Sequence, residues 1–116
     1  MRYMLLLHGR EEDVHVTSPE RVEEIAAFLA RFDDELMSGS ELDWTEVLAS
    51  EVGALVVDPD GDSREAWLNA GGLPLERAWV VRVPDAGRAR AIAARLASGV
   101  GAAVEVRECL PSAQRP

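Results

Sequence analysis

The first strand predicted for the chain is apolar on both of its faces. A strand with one buried face alternates apolar and polar residues, but residues 1–9 read Met-Arg-Tyr-Met-Leu-Leu-Leu-His-Gly. Both faces therefore need cover, and in a chain of 116 residues we expect a second subunit to supply part of it. One face carries Tyr3, Leu5 and Leu7, and the other carries Met4, Leu6 and His8.

Two segments have the periodicity of amphipathic helices. The first predicted helix covers Pro19 to Met37, with Ser18 as its N-cap and proline at its first position. The second covers Ala86 to Ser98, with Asp85 as its N-cap, and Gly99 is predicted to end it.

Strands account for most of the remaining pattern. They are predicted at 41–49, with a bulge where the alternation slips, and at 53–57, 78–83 and 102–107. The sequence Asp58-Pro-Asp-Gly61 predicts a turn, because proline presets one turn residue and glycine accepts positive φ. Residues 62–68 fit a strand or a short helix, and we favour a strand. We expect one domain over 1–110 and a flexible tail over 111–116; the looseness is expected to begin at Cys109.

This order of elements resembles a ferredoxin-like α+β sandwich with a split βαβ arrangement. Its antiparallel sheet would carry both helices on one face. Two such domains that pack through their free sheet faces would form a dimeric α/β barrel, which would also bury the second apolar face of the first strand.

Charge and composition limit the classes of partner. The formal net charge is -9, and all 12 basic residues are arginine. This charge repels phosphate backbones and anionic membranes, so we expect neither nucleic-acid nor membrane binding. The single cysteine, Cys109, cannot form an internal disulfide, and no apolar run approaches the length of a membrane span. We therefore expect a cytoplasmic protein.

Several short segments are informative in combination: residues 1–9, the helix start Ser18-Pro-Glu20, the helix end Glu35-Leu36, the segments Glu41-Leu42 and Glu46-Val-Leu-Ala49, and the last strand Gly101-Ala-Ala-Val-Glu-Val-Arg107. Together they resemble the YCII-related family, in particular its DGPF subgroup. The resemblance covers most of the chain. The namesake Asp-Gly-Pro-Phe is absent, and Asn69-Ala-Gly-Gly72 and Leu73-Pro-Leu-Glu76 occupy about that region.

The resemblance implies a dimeric α/β barrel with a small-molecule cleft between the sheet and the helices. Many members of the family have no established activity. Better-understood relatives pair a histidine with an aspartate, and some carry out elimination on oxidised aromatic rings. Neighbouring barrel families include isomerases, monooxygenases and polyketide cyclases.

His8 is the leading candidate for chemistry, because a neutral imidazole at a strand end suits acid or base catalysis near neutral pH. Asp33 or Asp34 on the first helix would orient it, if one of them turns toward the sheet. The structural alternatives are a strand-end histidine bonded to a loop and a solvated acidic helix face. His15, in an acidic loop, would act only as part of a lid.

Candidate ligand-binding residues are Trp44, Trp79, Arg82 and Asp43. An indole offers a flat wall to a planar ligand, and a guanidinium binds a carboxylate or enolate. On a regular strand Asp43 and Trp44 point to opposite faces, so only one of them would line the barrel. The alternatives are core or interface packing for the tryptophans and a surface ion pair for Arg82.

No cofactor or metal is expected, since the histidine and cysteine spacing matches no usual ligand set and no nucleotide-binding glycine loop precedes a helix. The leading hypothesis is a cofactor-independent enzyme that transfers protons in isomerisation, elimination or cyclisation of a planar oxygenated substrate. The alternative is a non-catalytic dimeric module that binds a ligand or regulates a partner. A cavity lined by His8 and a further polar side chain favours the enzyme.

Overall fold

The computed structural model describes residues 1–10, 17–69 and 71–111. The predictions for His15 and for residues 112–116 lie outside this part of the chain. The elements, in chain order, are β1 (Arg2–His8), α1 (Pro19–Ser38), β2 (Leu42–Val47), a short 3-10 helix (Glu51–Gly53), β3 (Leu55–Val57), β4 (Ser63–Glu65), β5 (Leu75–Arg82), α2 (Ala86–Val100) and β6 (Val104–Cys109).

Four strands form one antiparallel sheet in the order β2-β5-β1-β6. Its two central strands, β1 and β5, are separated in the chain by α1, β2 and the small hairpin of β3 and β4. Without that hairpin the connection is β-α-β-β-α-β. The chain is therefore an α+β protein whose sheet order and two helices are compatible with the ferredoxin-like fold.

One face of the sheet packs against both helices and forms the core. β1 contributes Tyr3, Leu5 and Leu7 to this layer, as its alternation predicts. The other strands and the helices contribute Trp79, Val81, Phe32, Leu36, Ala89, Ile92, Ala93 and Leu96. Removal of this apolar surface from water is the main term that stabilises the fold, at about 25 cal/mol per Å².

The helix starts follow the sequence prediction closely. The Ser18 side chain accepts a hydrogen bond from the backbone N–H of Arg21, and the Asp85 side chain accepts one from Arg88. The predicted end of the second helix is wrong, because α2 continues through Gly99 to Val100 and is capped by Gly101, which has φ +72°. Gly99 instead lets the ring of Phe28 in α1 lie against the α2 backbone, where a Cβ would collide with it.

Several strand bounds differ from the prediction. The strand predicted at 53–57 begins only at Leu55, because Gly53 ends a 3-10 helix. The strand favoured within residues 62–68 is present but short, since only Ser63–Glu65 pair. β5 begins at Leu75, three residues before the predicted strand. The prediction that Cys109 begins a loose tail is wrong, because Cys109 is the last residue of β6 and pairs with Arg2. The predicted Asp58–Gly61 turn is present, with a Gly61 N–H to Asp58 C=O bond of 2.9 Å.

The opposite face of the sheet, called the open face here, carries no helix. Its centre is an apolar square of Met4 and Leu6 from β1 and Ala78 and Val80 from β5, which pair directly. The molecule is 19 Å thick along its shortest axis. Two layers about 10 Å apart fill that thickness, and a third would bring it to roughly 30 Å. Both helices lie on the other face, and on the open face Ala78 and Val80 are buried in the single chain while Met4 and Leu6 are half-buried.

Candidate functional site

A cleft of about 500 Å³ opens at the end of the sheet where β1 stops. This size is typical of small-molecule sites, which enclose roughly 300–1,000 Å³. The cleft lies between the end of β1, the first half of α1, the end of α2 and the loop before β5. Its lining residues include Leu7, His8, Gly9, Arg10, Thr17, Val22, Ile25, Ala26, Leu29, Leu73, Glu76, Val100 and Gly101.

The wall of the cleft is mainly apolar. Val22, Ile25 and Leu29 recur at three- and four-residue spacing on α1, so they form one stripe that faces the cleft. The polar groups His8, Arg10 and Glu76 lie at the strand ends on the other side. An apolar wall opposite a few polar groups suits a largely flat, apolar molecule with an oxygen function at one edge.

A β-bulge on β5, opposite the end of β1, brings the Glu76 carboxylate to Gly9. Leu7 of β1 pairs with Arg77 of β5, but His8 pairs with Leu75, so Glu76 is an extra residue on β5. Bulges of this kind redirect a side chain and are common beside active sites. The Glu76 carboxylate lies against the backbone of Gly9, where a Cβ would collide with Oε2. Glycine at position 9 therefore lets the carboxylate approach the strand end.

His8 lines both the cleft and a neighbouring depression. It is half-buried, and the depression is also lined by Asn69, Leu73, Ala102 and Glu105. The backbone N–H of the following Gly9 donates to the Pro74 carbonyl at 3.0 Å, which fixes the chain just past His8. A half-buried histidine at the edge of a cleft is suited to proton exchange with a bound molecule.

Asp33 is held in a different place from His8. Its Oδ2 accepts from Arg77 at 2.5 Å and its Oδ1 accepts from the indole N–H of Trp79 at 2.8 Å. The Arg77 guanidinium also stacks on the Trp79 ring at 4.4 Å and donates to Thr45. Asp33 thus ties α1 to the sheet, while Asp34 is exposed on α1, and neither residue lines the cleft.

Trp79 is fully buried on the helix side of the sheet and makes an edge-to-face contact with Phe32. Trp79 is therefore a core residue and does not line the cleft. Trp44, by contrast, is 45% exposed and lies on the open face, directly opposite Val80 of β5. The structure therefore separates the two indoles onto opposite faces of the sheet.

The expectation that Asp43 and Trp44 point to opposite faces is wrong. Leu42 pairs with Val81 and Trp44 with Val80, so Asp43 is the extra residue of a bulge. Its carboxylate accepts from Arg82 at 2.8 Å and from Arg2 at 3.0 Å, both on the open face. The hydrogen bond from Arg82, followed by that from Arg2, holds the pKa of Asp43 below its ordinary value of 3.8.

Sequence reasoning missed Glu76, which lines the same cleft as His8. The available signal was its position, two residues after Pro74 and directly before the apolar strand.

Within residues 1–10, 17–69 and 71–111, no group of three histidine, cysteine or acidic side chains is arranged to hold a metal ion. No helix of the described chain is long and apolar enough to cross a membrane.

Comparison with known proteins identified no relative of the chain. No family model matches the chain, and no curated protein matches its sequence.

Proposed function

We propose that the protein is a cofactor-independent enzyme that moves protons on a planar oxygenated substrate, as in isomerisation, elimination or cyclisation. The observation that carries this proposal is the shared cleft of His8 and Glu76 opposite an apolar wall. A histidine with a further polar side chain in a small-molecule cleft is the arrangement expected of an acid and base pair. The resemblance to the YCII-related family supports the same class of reaction.

In the proposed reaction, neutral His8 takes a proton from a carbon next to the substrate carbonyl and the electron pair moves onto the carbonyl oxygen. The imidazolium then returns the proton to a different carbon, which completes an isomerisation, or the electron pair expels a leaving group. Glu76, which lines the same cleft, provides the negative charge that stabilises the imidazolium formed in this step. This assignment replaces Asp33 by Glu76 as the carboxylate that assists His8, because both Asp33 oxygens bond elsewhere.

We also propose that the protein works as a homodimer through its open face. The support is the apolar square of Met4, Leu6, Ala78 and Val80 within a rim of charged residues, which is the anatomy of a protein interface. Two copies that pack through this face would form the dimeric α/β barrel. Trp44 and the Asp43–Arg82 pair then lie at the interface and not in the cleft.

The experiment is deuterium exchange followed by proton NMR. A panel of cyclic 1,3-diketones, 2-oxo acids and unsaturated lactones is incubated with the protein in D2O, and loss of the C–H signal next to the carbonyl is measured. The wild type is expected to accelerate exchange for at least one class. His8→Gln should lower that rate about 100-fold or more, since a general base contributes 10²–10⁴-fold.

Glu76→Gln should give a smaller loss than His8→Gln, because it removes only the assisting charge. Glu108→Gln, an exposed carboxylate of β6 outside the cleft, is the matched control and should keep the wild-type rate. Equal exchange by the wild type and the folded His8→Gln variant would refute the catalytic role of His8.

The second candidate is a non-catalytic ligand-binding module. The observation that favours it is the apolar wall of the cleft, which provides affinity without chemistry. It predicts saturable binding of a panel compound, an unchanged affinity in His8→Gln and no exchange above the buffer rate.

A further inference from the structure

The β3–β4 hairpin is a separate two-stranded ribbon that does not pair with the main sheet. Such a ribbon is at best marginally stable by itself in water. Val56 is buried in the single chain. The face of the hairpin that carries Val56 therefore packs against other residues of the same chain. Leu55 and Val57 lie on the other face and remain 63% and 65% exposed. The outer face of the hairpin is therefore an apolar surface without a partner in one copy.

The outer face of the hairpin also carries negative charge. Leu55 pairs with Glu65 and Val57 with Ser63, so these four side chains share the outer face. The turn adds Asp60 and Asp62, while Asp58 is occupied by Arg64 at 2.8 Å. A matching surface must therefore combine apolar contact with positive charge.

The open face is polarised from one end to the other. Arg2 and Arg82 are paired neighbours at the end where β1 begins, and Arg107 lies opposite Met4. Arg2 and Arg82 share one carboxylate, Asp43, which leaves this basic end with excess positive charge. At the other end the open face carries two acids, Glu46 opposite Ala78 and Glu105 opposite Leu6.

Because one end of the open face is basic and the other acidic, only one orientation of two copies packed through this face is favourable. A two-fold axis parallel to the strands would lay arginines on arginines. An axis across the strands lays the basic end of one copy on the acidic end of the other, which is the complementary arrangement. The hairpin follows β2 and precedes β5, so it lies at the acidic end of its own sheet. In this orientation it reaches the basic end of the other copy.

We infer that the hairpin is a dimerisation arm, whose outer face docks on the basic end of a second copy of this chain. Leu55 and Val57 provide the apolar contact, and Glu65 faces the Arg2 and Arg82 guanidiniums of that second copy. The inference rests on the homodimer proposed above, and it adds the orientation and a second contact region. The hairpin and His8 lie at the same end of the sheet.

The test is the dimer dissociation constant, measured by sedimentation equilibrium. The double variant Leu55→Ser, Val57→Ser should raise it about 100-fold or more, since each arm loses two buried apolar side chains. The control is Met37→Ser, a 60% exposed apolar side chain at the end of α1, and it should change the constant less than about threefold.

A charge exchange tests the orientation. Glu65→Arg and Arg82→Glu should each weaken the dimer about tenfold, and the combined variant should return to within about threefold of the wild type. Thermal melts of each variant show whether the chain is folded. A wild-type dimer that is unaffected by the serine substitutions refutes the arm and leaves the face-to-face dimer in place. A monomeric wild type at micromolar concentration refutes the dimer and the arm together, whatever the exchange assay shows.

Discussion

The indole N–H of Trp79 donates to Oδ1 of Asp33 across 2.8 Å, and the Arg77 guanidinium binds the other oxygen of the same carboxylate. Asp33 is on α1, whereas its two partners are on β5, so three side chains fasten the helix to the sheet. The Asp33 and Arg77 side chains are only 23% and 14% exposed. Asp33, a catalytic candidate in the sequence, therefore has a structural role.

Asp33→Ala is expected to destabilise the protein by about 2–4 kcal/mol. The substitution leaves a buried indole N–H and a largely buried guanidinium without their acceptor, which costs more than the bonds themselves contribute. Urea denaturation measures the free energy of unfolding. Asp34→Ala, one residue along on the exposed side of α1, is the control and should change that free energy by less than about 0.5 kcal/mol.

Gly99→Ala is expected to destabilise the protein by about 1–3 kcal/mol, although alanine is the better helix former. The added Cβ meets the ring of Phe28, which is held between α1 and α2, so the helices must separate. Thermal denaturation is the measurement. Gly53→Ala, where no atom lies within 4 Å of the new Cβ, should leave the melting temperature nearly unchanged. A more stable Gly99→Ala variant would contradict the close contact of the helices.

Stability should fall in acid in part through Glu41. Two hydrogen bonds of 2.7 Å from Arg88 join this carboxylate to the first turn of α2. The Arg88 hydrogen bond holds the pKa of Glu41 below its ordinary value of 4.5. Because the folded pKa is the lower one, the contribution is complete above about pH 5 and is lost as the pH falls through the folded value.

Melting temperatures of the wild type and Glu41→Gln, measured from about pH 6 to about pH 3, test this contribution. The variant should be less stable than the wild type at pH 6, and the difference should shrink toward pH 3. A difference that stays constant across this range would show that the Glu41 charge is not involved.

Gly9→Ala should act on the cleft without removing any of its polar groups. The new Cβ collides with Oε2 of Glu76 and moves the end of that flexible side chain away from the strand end. We expect the exchange rate to fall by the same factor as in Glu76→Gln, with little change in thermal stability. A wild-type rate in Gly9→Ala together with a reduced rate in Glu76→Gln would show that the position of the carboxylate is unimportant.

Local signals in the sequence predicted the helices and the two apolar faces of β1. Ser18, Pro19 and Asp85 act on their own neighbours, so their effect can be predicted without the fold. The Glu76 bulge depends on the pairing of residue 8 with residue 75, which no local pattern encodes. In the same way, the role of Asp33 depends on Arg77, 44 positions away along the chain.

Chemical-shift mapping tests the location of the site most directly. A panel compound that exchanges protons or binds is titrated into the ¹⁵N-labelled protein, and the backbone amides that shift are identified. We predict shifts at residues 7–9, 22–29, 73–76 and 100–102, which surround the cleft. Shifts confined to the open face, at Trp44, Val80 and Arg82, would contradict this prediction and place the ligand on that face instead.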